Sequence, residues 1–179
     1  SDTSSHTNVQ VICSTTRAFA ALKTDGTVVA WGDSSYGGTA PSSGLTNVVT
    51  IYSTYYAFAA LKTDGSVVAW GSSRYGGTAP TSGLTNVVTI YSTRGAFAAL
   101  KTDGSVVAWG YFNDGGTGWT APSELTNVET IYSTSQAFAA LKTDGSVVAW
   151  GKYGNVGRSV PSGLTNVQTI YSTADAFAA

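Results

Sequence analysis

Ala57-Phe58-Ala59-Ala60-Leu61-Lys62-Thr63-Asp64-Gly65-Ser66-Val67-Val68-Ala69-Trp70-Gly71 decides the fold. Two short apolar runs flank Asp64-Gly65, a dipeptide that reverses the chain between strands. The same dipeptide stands at Asp25-Gly26, Asp103-Gly104 and Asp144-Gly145, each between similar runs. The reading is a β-hairpin closed by a two-residue type I′ loop. Such a loop sets a register in which Thr63 faces Ser66, Leu61 faces Val68, Ala59 faces Trp70 and Phe58 faces Gly71. Large residues then stand opposite small ones, Trp over Ala on one face and Phe over Gly on the other. That pattern suits sheets packed closely on both faces.

Upstream of the hairpin, Thr46 to Ser53 is rich in β-branched residues and reads as a third strand. It lacks clean alternation, which is expected of a strand buried on both sides. Helix is poorly supported, because every candidate run is short and bounded by Gly or Pro. Aligning on Thr-Asn-Val places Thr7, Thr46, Thr85, Thr126 and Thr165 in register, with spacings of 39, 39, 41 and 39. The two extra residues fall near Gly118-Trp119. A fixed period of this size belongs to propellers, solenoids and arrays. The expected fold is all-β, with tandem antiparallel β-sheet repeats of about 39 residues forming propeller-like blades, four complete and one partial. Residues 1–6 read as an N-terminal tail and 7–179 as a single repeat domain, with units starting at 7, 46, 85, 126 and 165. The last unit stops at Ala179, before its Asp-Gly turn, and leaves a strand without a hairpin partner.

Hydrophobic residues make up 42% of the 179, charged residues only 11%, and the formal net charge is −1. A core is affordable on that composition. The basic balance of a nucleic-acid or anionic-membrane binder is absent, and no apolar run reaches the roughly eighteen residues of a membrane span. Ser1 to His6 lacks the basic and apolar regions of a signal peptide, and the sequence contains no Met, so the expectation is a mature or trimmed chain. Richness in Ser, Thr, Gly, Ala and Tyr with few charges suits an extracellular or cell-surface β-protein. The one cysteine, Cys13, occupies a position that is Tyr at 52, 91, 132 and 171. It reads as a small buried apolar residue, with an intermolecular bridge as the alternative.

Catalytic chemistry is poorly provided for. The only histidine, His6, lies in the polar tail, and without a second His or Cys a thiolate or imidazole metal cluster is excluded by count. Asp25, Asp64, Asp103 and Asp144 read as turn residues, since calcium would want more oxygen ligands than the Lys-Thr-Asp-Gly turn offers. Glu124 and Glu129 make one weak acid–base pair, and Gly76-Gly77 matches no phosphate loop. The expectation is therefore no enzyme, no catalytic residue, no metal and no cofactor.

Ala60-Leu61-Lys62-Thr63-Asp64-Gly65-Ser66-Val67-Val68-Ala69-Trp70-Gly71, followed by Tyr75-Gly76 and Pro80, resembles the regulator-of-chromosome-condensation type of β-propeller repeat, in its bacterial style. The resemblance covers nearly the whole chain from Thr7. It implies blades of three or four antiparallel strands around an axis, commonly about seven to a ring, whereas this chain holds four complete hairpins. It also implies an interaction scaffold, since the family includes exchange factors for small GTPases, an inhibitor of β-lactamases and bacterial surface proteins. One departure is local: the family places Gly and then His-Ser before the Ala-Leu pair, where this chain has Ser53-Thr54 and Ala57-Phe58.

The repeats disagree with one another in two places. One is the pair after Ser-Thr, namely Thr16-Arg17, Tyr55-Tyr56, Arg94-Gly95, Ser135-Gln136 and Ala174-Asp175. The other follows Trp-Gly. Both leave the open end of the hairpin, so one rim carries the variation and the opposite rim the Asp-Gly turns. Loops on a repeated scaffold are where recognition sits, and Tyr, Arg and Trp dominate contact surfaces. The candidate binding rim is Arg17, Tyr36, Tyr55, Tyr56, Arg74, Tyr75, Arg94, Tyr111, Phe112, Trp119, Gln136 and Tyr153. The competing reading is that these loops vary only because packing does not restrain them. Trp31, Trp70, Trp109 and Trp150 read as core. The leading functional expectation is a non-catalytic module for a protein or glycan ligand, without nucleic acid. A self-assembling structural repeat, pairing through its terminal strand edges into a fibre or ring, is the alternative, and an enzyme-inhibiting propeller is a third.

Overall fold

The structure, a computed structural model, describes residues 7–116, 125–151 and 164–179. The chain forms two compact units, Ser1–Asn86 and Val87–Ala179. In the first unit, β1 (Val9–Ser14), β2 (Ala18–Lys23) and β3 (Val28–Gly32) make one blade, and β4 (Val48–Ser53), β5 (Ala57–Lys62) and β6 (Val67–Gly71) the next. The second unit holds β7 (Val87–Ser92), β8 (Ala96–Lys101) and β9 (Val106–Gly110), then β10 (Val128–Ser133), β11 (Ala137–Lys142) and β12 (Val147–Gly151). A fifth, partial blade pairs β13 (Tyr171–Ser172) with β14 (Phe177–Ala178). Each complete blade is a three-stranded antiparallel meander with the Ala-Phe-Ala-Ala-Leu-Lys strand in the middle. The all-β repeat fold is as expected. Among the described residues no helix is long and apolar enough to cross a membrane.

The hairpin register differs from the expected one by a single residue. Phe58 faces Trp70, Ala59 faces Ala69, Ala60 faces Val68 and Leu61 faces Val67. The loop has three residues rather than two. Lys62 N donates to Ser66 O at 3.0 Å, and Gly65 N donates back to Lys62 O at 3.0 Å. Gly65 alone takes a positive φ, 75°, as in a type I turn followed by a glycine bulge. Asp64 instead uses its carboxylate, whose Oδ1 accepts from Ser66 N at 2.9 Å and Ser66 Oγ at 2.6 Å. These bonds hold the Asp64 carboxyl below its ordinary range, as the matching bonds from Thr27, Ser105 and Ser146 do for Asp25, Asp103 and Asp144. Their support is present when the carboxylates are ionised and fades as the pH falls through the carboxylate range.

A one-residue shift changes which side chains share a face. Phe58 and Trp70 now stand side by side, ring centroids 5.1 Å apart, and Phe138 and Trp150 repeat the pair at 5.3 Å. Each blade thus has a front bearing Phe and Trp and a rear bearing alanines. The core lies between the blades: Ala18, Ala20 and Leu22 on the rear of the first meet Ile51, Phe58, Ala60 and Trp70 on the front of the second. In the second unit Ala96, Ala98 and Leu100 meet Ile131, Phe138, Ala140 and Trp150 in the same way. Large-on-small complementarity is real, but it acts between sheets instead of across strands. Burial of one such Phe contributes about 1.5–3 kcal/mol.

The irregular pattern of the first strand in each blade also has a different cause from the one expected. Val48 pairs with Lys62 and Thr50 with Leu61, so Val49 is an extra residue that bulges outward and is exposed. A bulge, not burial on both faces, breaks the alternation. Just before it, Asn47 and its counterparts Asn8, Asn86, Asn127 and Asn166 all sit at φ near +60°, a conformation Asn tolerates better than most residues. The recurring Thr-Asn-Val is therefore a backbone requirement. It also links neighbouring blades, since Val48 N donates to Gly26 O at 2.9 Å, while Thr63 N donates to Asn47 O at 2.9 Å within the second blade.

Candidate functional site

At the end of each of the first three blades away from the Asp-Gly turn, a threonine binds the two variable loops together. Thr54 Oγ1 accepts from Ala57 N at 3.0 Å and donates to Tyr75 O at 3.2 Å, in the short 3-10 turn Ser73–Tyr75. Thr15 Oγ1 donates likewise to Tyr36 O at 3.0 Å, and Thr93 Oγ1 to Asp114 O at 2.8 Å. Each 3-10 turn ends on a left-handed glycine, and Trp70 Nε1 donates to the carbonyl of Gly37 at 3.0 Å, as Trp150 Nε1 does to Gly115 at 3.1 Å. The tryptophans are thus core residues that also hold the rim turn of the preceding blade. Trp31 is half-buried, while Trp70, Trp109 and Trp150 are buried. Replacing Thr93 by Val keeps the shape and deletes the hydroxyl. The expected loss is about 1–3 kcal/mol, read by urea unfolding; a change within about 0.3 kcal/mol would show that the clip holds nothing.

In the first unit this scaffold brings six of the candidate residues into one row. The Arg17 guanidinium lies over the Tyr36 ring at 5.1 Å. Tyr36 neighbours Tyr56 at 5.4 Å, and Tyr56 stacks on Tyr75 at 4.2 Å with 25° between the rings. Arg74 lies over Tyr75 at 5.8 Å, and Tyr55 leans on Tyr56 at 6.4 Å. Arg17 and Tyr36 come from the first blade and the others from the second. A backbone link aligns them, since Thr16 N and Oγ1 donate to Tyr55 O at 3.0 and 2.8 Å. Arg17, Tyr55 and Arg74 are exposed, whereas Tyr36, Tyr56 and Tyr75 are half-buried. Each cation–π contact at such a site contributes about 0.5–1 kcal/mol.

The second unit treats the equivalent positions differently. Arg94 occupies the place of Tyr55, and Asp114 that of Tyr36 and Tyr75. They form a fork, with Arg94 Nη2 on Asp114 Oδ1 at 3.3 Å and Nε on Oδ2 at 3.4 Å, and Asp114 is wholly buried. Arg94 is therefore tied into the rim by an ion pair. Asp114 was missed by sequence reasoning, although an acid replacing Tyr while Arg replaces Tyr on the facing loop is a signal readable within one chain. Tyr111 and Phe112 stack against each other at 5.0 Å, and Asn113 Nδ2 donates to the Tyr111 hydroxyl at 3.2 Å. Gln136 is half-buried, and its backbone N–H donates to Thr134 Oγ1 at 3.3 Å. Trp119 and Tyr153 lie outside the described residues, as do His6 and Glu124.

Cys13 is half-buried rather than buried, and it is not merely an apolar filler. Its Sγ donates to Ile51 O at 3.3 Å, toward the next blade. At the same position the hydroxyls of Tyr91 and Tyr132 meet Thr130 and Thr169, also on the next blade. Burial pushes the Cys13 thiol up, away from the reactive thiolate. Among the described residues no three His, Cys, Asp or Glu side chains gather to hold a metal.

The fold is that of RCC1-type β-propeller repeats. Prp20p of Saccharomyces cerevisiae, whose structure was described with its binding to Gsp1p and histones, superposes with a TM-score of 0.64 at 22% identity, over 82% of this chain and 45% of that one. Yeast RCC1 (Prp20) bound to Kap60 gives 0.63 at 22%, over 90% and 48%. Human WBSCR16 gives 0.57 at 20%, over 80% and 47%. The chain spans about half the length of these structures. No protein-family model matches it, and no curated protein does.

Proposed function

We propose that this chain is a non-catalytic recognition module, acting outside the cell on a protein or glycan, whose principal contact surface is the row Arg17–Tyr36–Tyr56–Tyr75–Arg74 with Tyr55 beside it. The row itself carries the reading. Unrestrained loop drift gives no reason for side chains from four separate loops to converge on one row of three rings with a cation at each end. The stack is held from within by Thr15, Thr54 and the Thr16–Tyr55 backbone bonds, so little side-chain freedom is lost when a ligand arrives. Tyrosine and arginine supply large amphipathic contacts at low entropic cost. Prp20p, of the same fold, binds proteins, which favours a protein ligand. Tyr111, Phe112 and Gln136 of the second unit belong to the same proposal as secondary contacts, together with Trp119 and Tyr153.

The test is a binding screen of the intact chain on a glycan array and a panel of extracellular proteins, repeated with the double variant Tyr55→Ala, Arg74→Ala. Both side chains are exposed and the variant should fold, with a melting temperature lowered by no more than about 5 °C for the lost ring contacts. Affinity for the captured ligand should fall at least about tenfold, or 1.4 kcal/mol. Undiminished binding by the folded variant sinks the proposal.

A further inference from the structure

An aromatic ring is negative on its faces and positive at its edge. In the rim row of the first unit Tyr56 stacks on Tyr75 at 4.2 Å, and Tyr36 lies 5.4 Å from Tyr56. The guanidinium groups of Arg17 and Arg74 lie over Tyr36 and Tyr75. The negative faces are thus engaged inside the row. The half-buried rings leave edges and phenol hydroxyls for a ligand, and phenol hydroxyls donate hydrogen bonds. The two arginines are exposed at the ends. The surface a ligand meets is therefore electropositive. Comparison of the repeats gives the same sign. Tyr36 stands at the repeat position of Asp114, and Arg17 meets its ring at 5.1 Å where Arg94 meets a buried carboxylate at 3.3 Å. The second unit supplies its rim arginine with an acid from its own chain, and the first supplies rings. Among the first unit's described acids, Asp25 and Asp64 lie in the turns at the opposite end of the blades, and Asp33 Oδ1 accepts from Ser35 N at 2.9 Å.

We infer, resting on the function proposed for this row, that its ligand is an extended acidic segment of a protein partner. Carboxylates of that segment seat on Arg17 and Arg74, and its backbone carbonyls accept from the tyrosine hydroxyls between them. A guanidinium fork matches a carboxylate with two parallel hydrogen bonds. Spacing selects the class. Steps of 5.1, 5.4, 4.2 and 5.8 Å along the row allow at most about 20 Å between the cations, the reach of about six extended residues. Two charges separated by three uncharged rings suit a peptide with one acid near each end of a neutral stretch. A sulfated or uronic glycan carries charge on nearly every unit, and most of it would face phenol rings and lose its hydration unpaired. A neutral sugar stacks on an open ring face, and the faces of Tyr36, Tyr56 and Tyr75 are engaged by one another and by the arginines.

Three probes, each carrying a neutral fluorophore, are titrated with the intact chain and read by fluorescence anisotropy. One is a peptide of about eight residues with two glutamates about five positions apart in a Ser- and Thr-rich stretch. The second replaces both glutamates by glutamine, and the third is a heparin hexasaccharide. The glutamate peptide should bind with a Kd below about 1 mM, at least about tenfold tighter than the glutamine peptide. Raising the salt from about 20 to about 300 mM should weaken it about three- to tenfold, because exposed ion pairs are screened. Arg17→Gln and Arg74→Gln, each with the parent's circular dichroism spectrum, should each weaken it about three- to tenfold. Should one of the two fail to fold, the other decides. Absence of binding up to about 3 mM, equal binding of the two peptides, or tighter binding of the hexasaccharide overturns the inference. Those outcomes concern the ligand's class alone: a ligand captured in the binding screen that loses affinity with Tyr55→Ala, Arg74→Ala keeps the row as a recognition surface. Undiminished binding of the glutamate peptide by that folded double variant overturns both.

Discussion

Replacing Phe138 by Ala should lower the unfolding free energy by about 3–5 kcal/mol. The side chain is fully buried, stacked beside Trp150 at a centroid distance of 5.3 Å, and enclosed by Ala96, Ala98, Ile131 and Ala140. Truncation removes a whole ring from the seam between two blades. The backbone on either side is a hydrogen-bonded sheet that cannot collapse into the gap, so both the lost transfer energy and the cavity are felt. Urea unfolding followed by circular dichroism measures this directly. A loss below about 1.5 kcal/mol would mean that the seam between these blades contributes less than its burial implies.

Gly115→Ala should cost about 2–4 kcal/mol, for two separable reasons. Gly115 ends a 3-10 turn at φ 94°, where an L side chain is strained. A Cβ placed there would also lie 2.6 Å from Phe138 Cδ2 and 2.9 Å from Cε2, inside any tolerable contact. The two parts come apart in a double-mutant cycle. In the Phe138→Ala background the ring is gone, and Gly115→Ala should then cost only about 1–2 kcal/mol, the backbone share. Costs that simply add would show that the glycine is required by its conformation alone. The same substitution should raise the exposure of Trp150, whose indole N–H donates to the Gly115 carbonyl, visible as a red-shifted emission.

Much of this protein was legible in local pattern. The period of about 39 residues, the hairpin in each unit, the third strand before it and the segregation of variable loops at one end all follow from short-range signals. The hairpin register was not legible, because Asp-Gly serves a two-residue loop and a three-residue one equally well. The difference lies in whether the aspartate takes a positive φ or keeps an ordinary one and bonds the next Ser or Thr with its carboxylate. That choice moved Phe58 from opposite Gly71 to opposite Trp70, and with it the meaning of the large and small residues. For the rim, the sequence could nominate Arg17, Tyr36, Tyr56 and Tyr75 as variable. It could not place them against each other, since Tyr36 and Tyr56 meet only because two blades stack. Arg94 shows the converse: a residue typical of recognition surfaces is held by a buried carboxylate twenty residues away.

The clearest division is in the strand Ala-Phe-Ala-Ala-Leu-Lys, written identically as Ala18–Lys23, Ala57–Lys62, Ala96–Lys101 and Ala137–Lys142. By itself the sequence determined that each copy is the middle strand of a blade, because the β-branched strand before it and the Asp-Gly turn after it are local signals. Whether its Phe is covered was decided only in the tertiary structure, where Phe138 is wholly buried and Phe19 is nearly half exposed. Burial depends on the neighbouring sheet, and no strand encodes its neighbour.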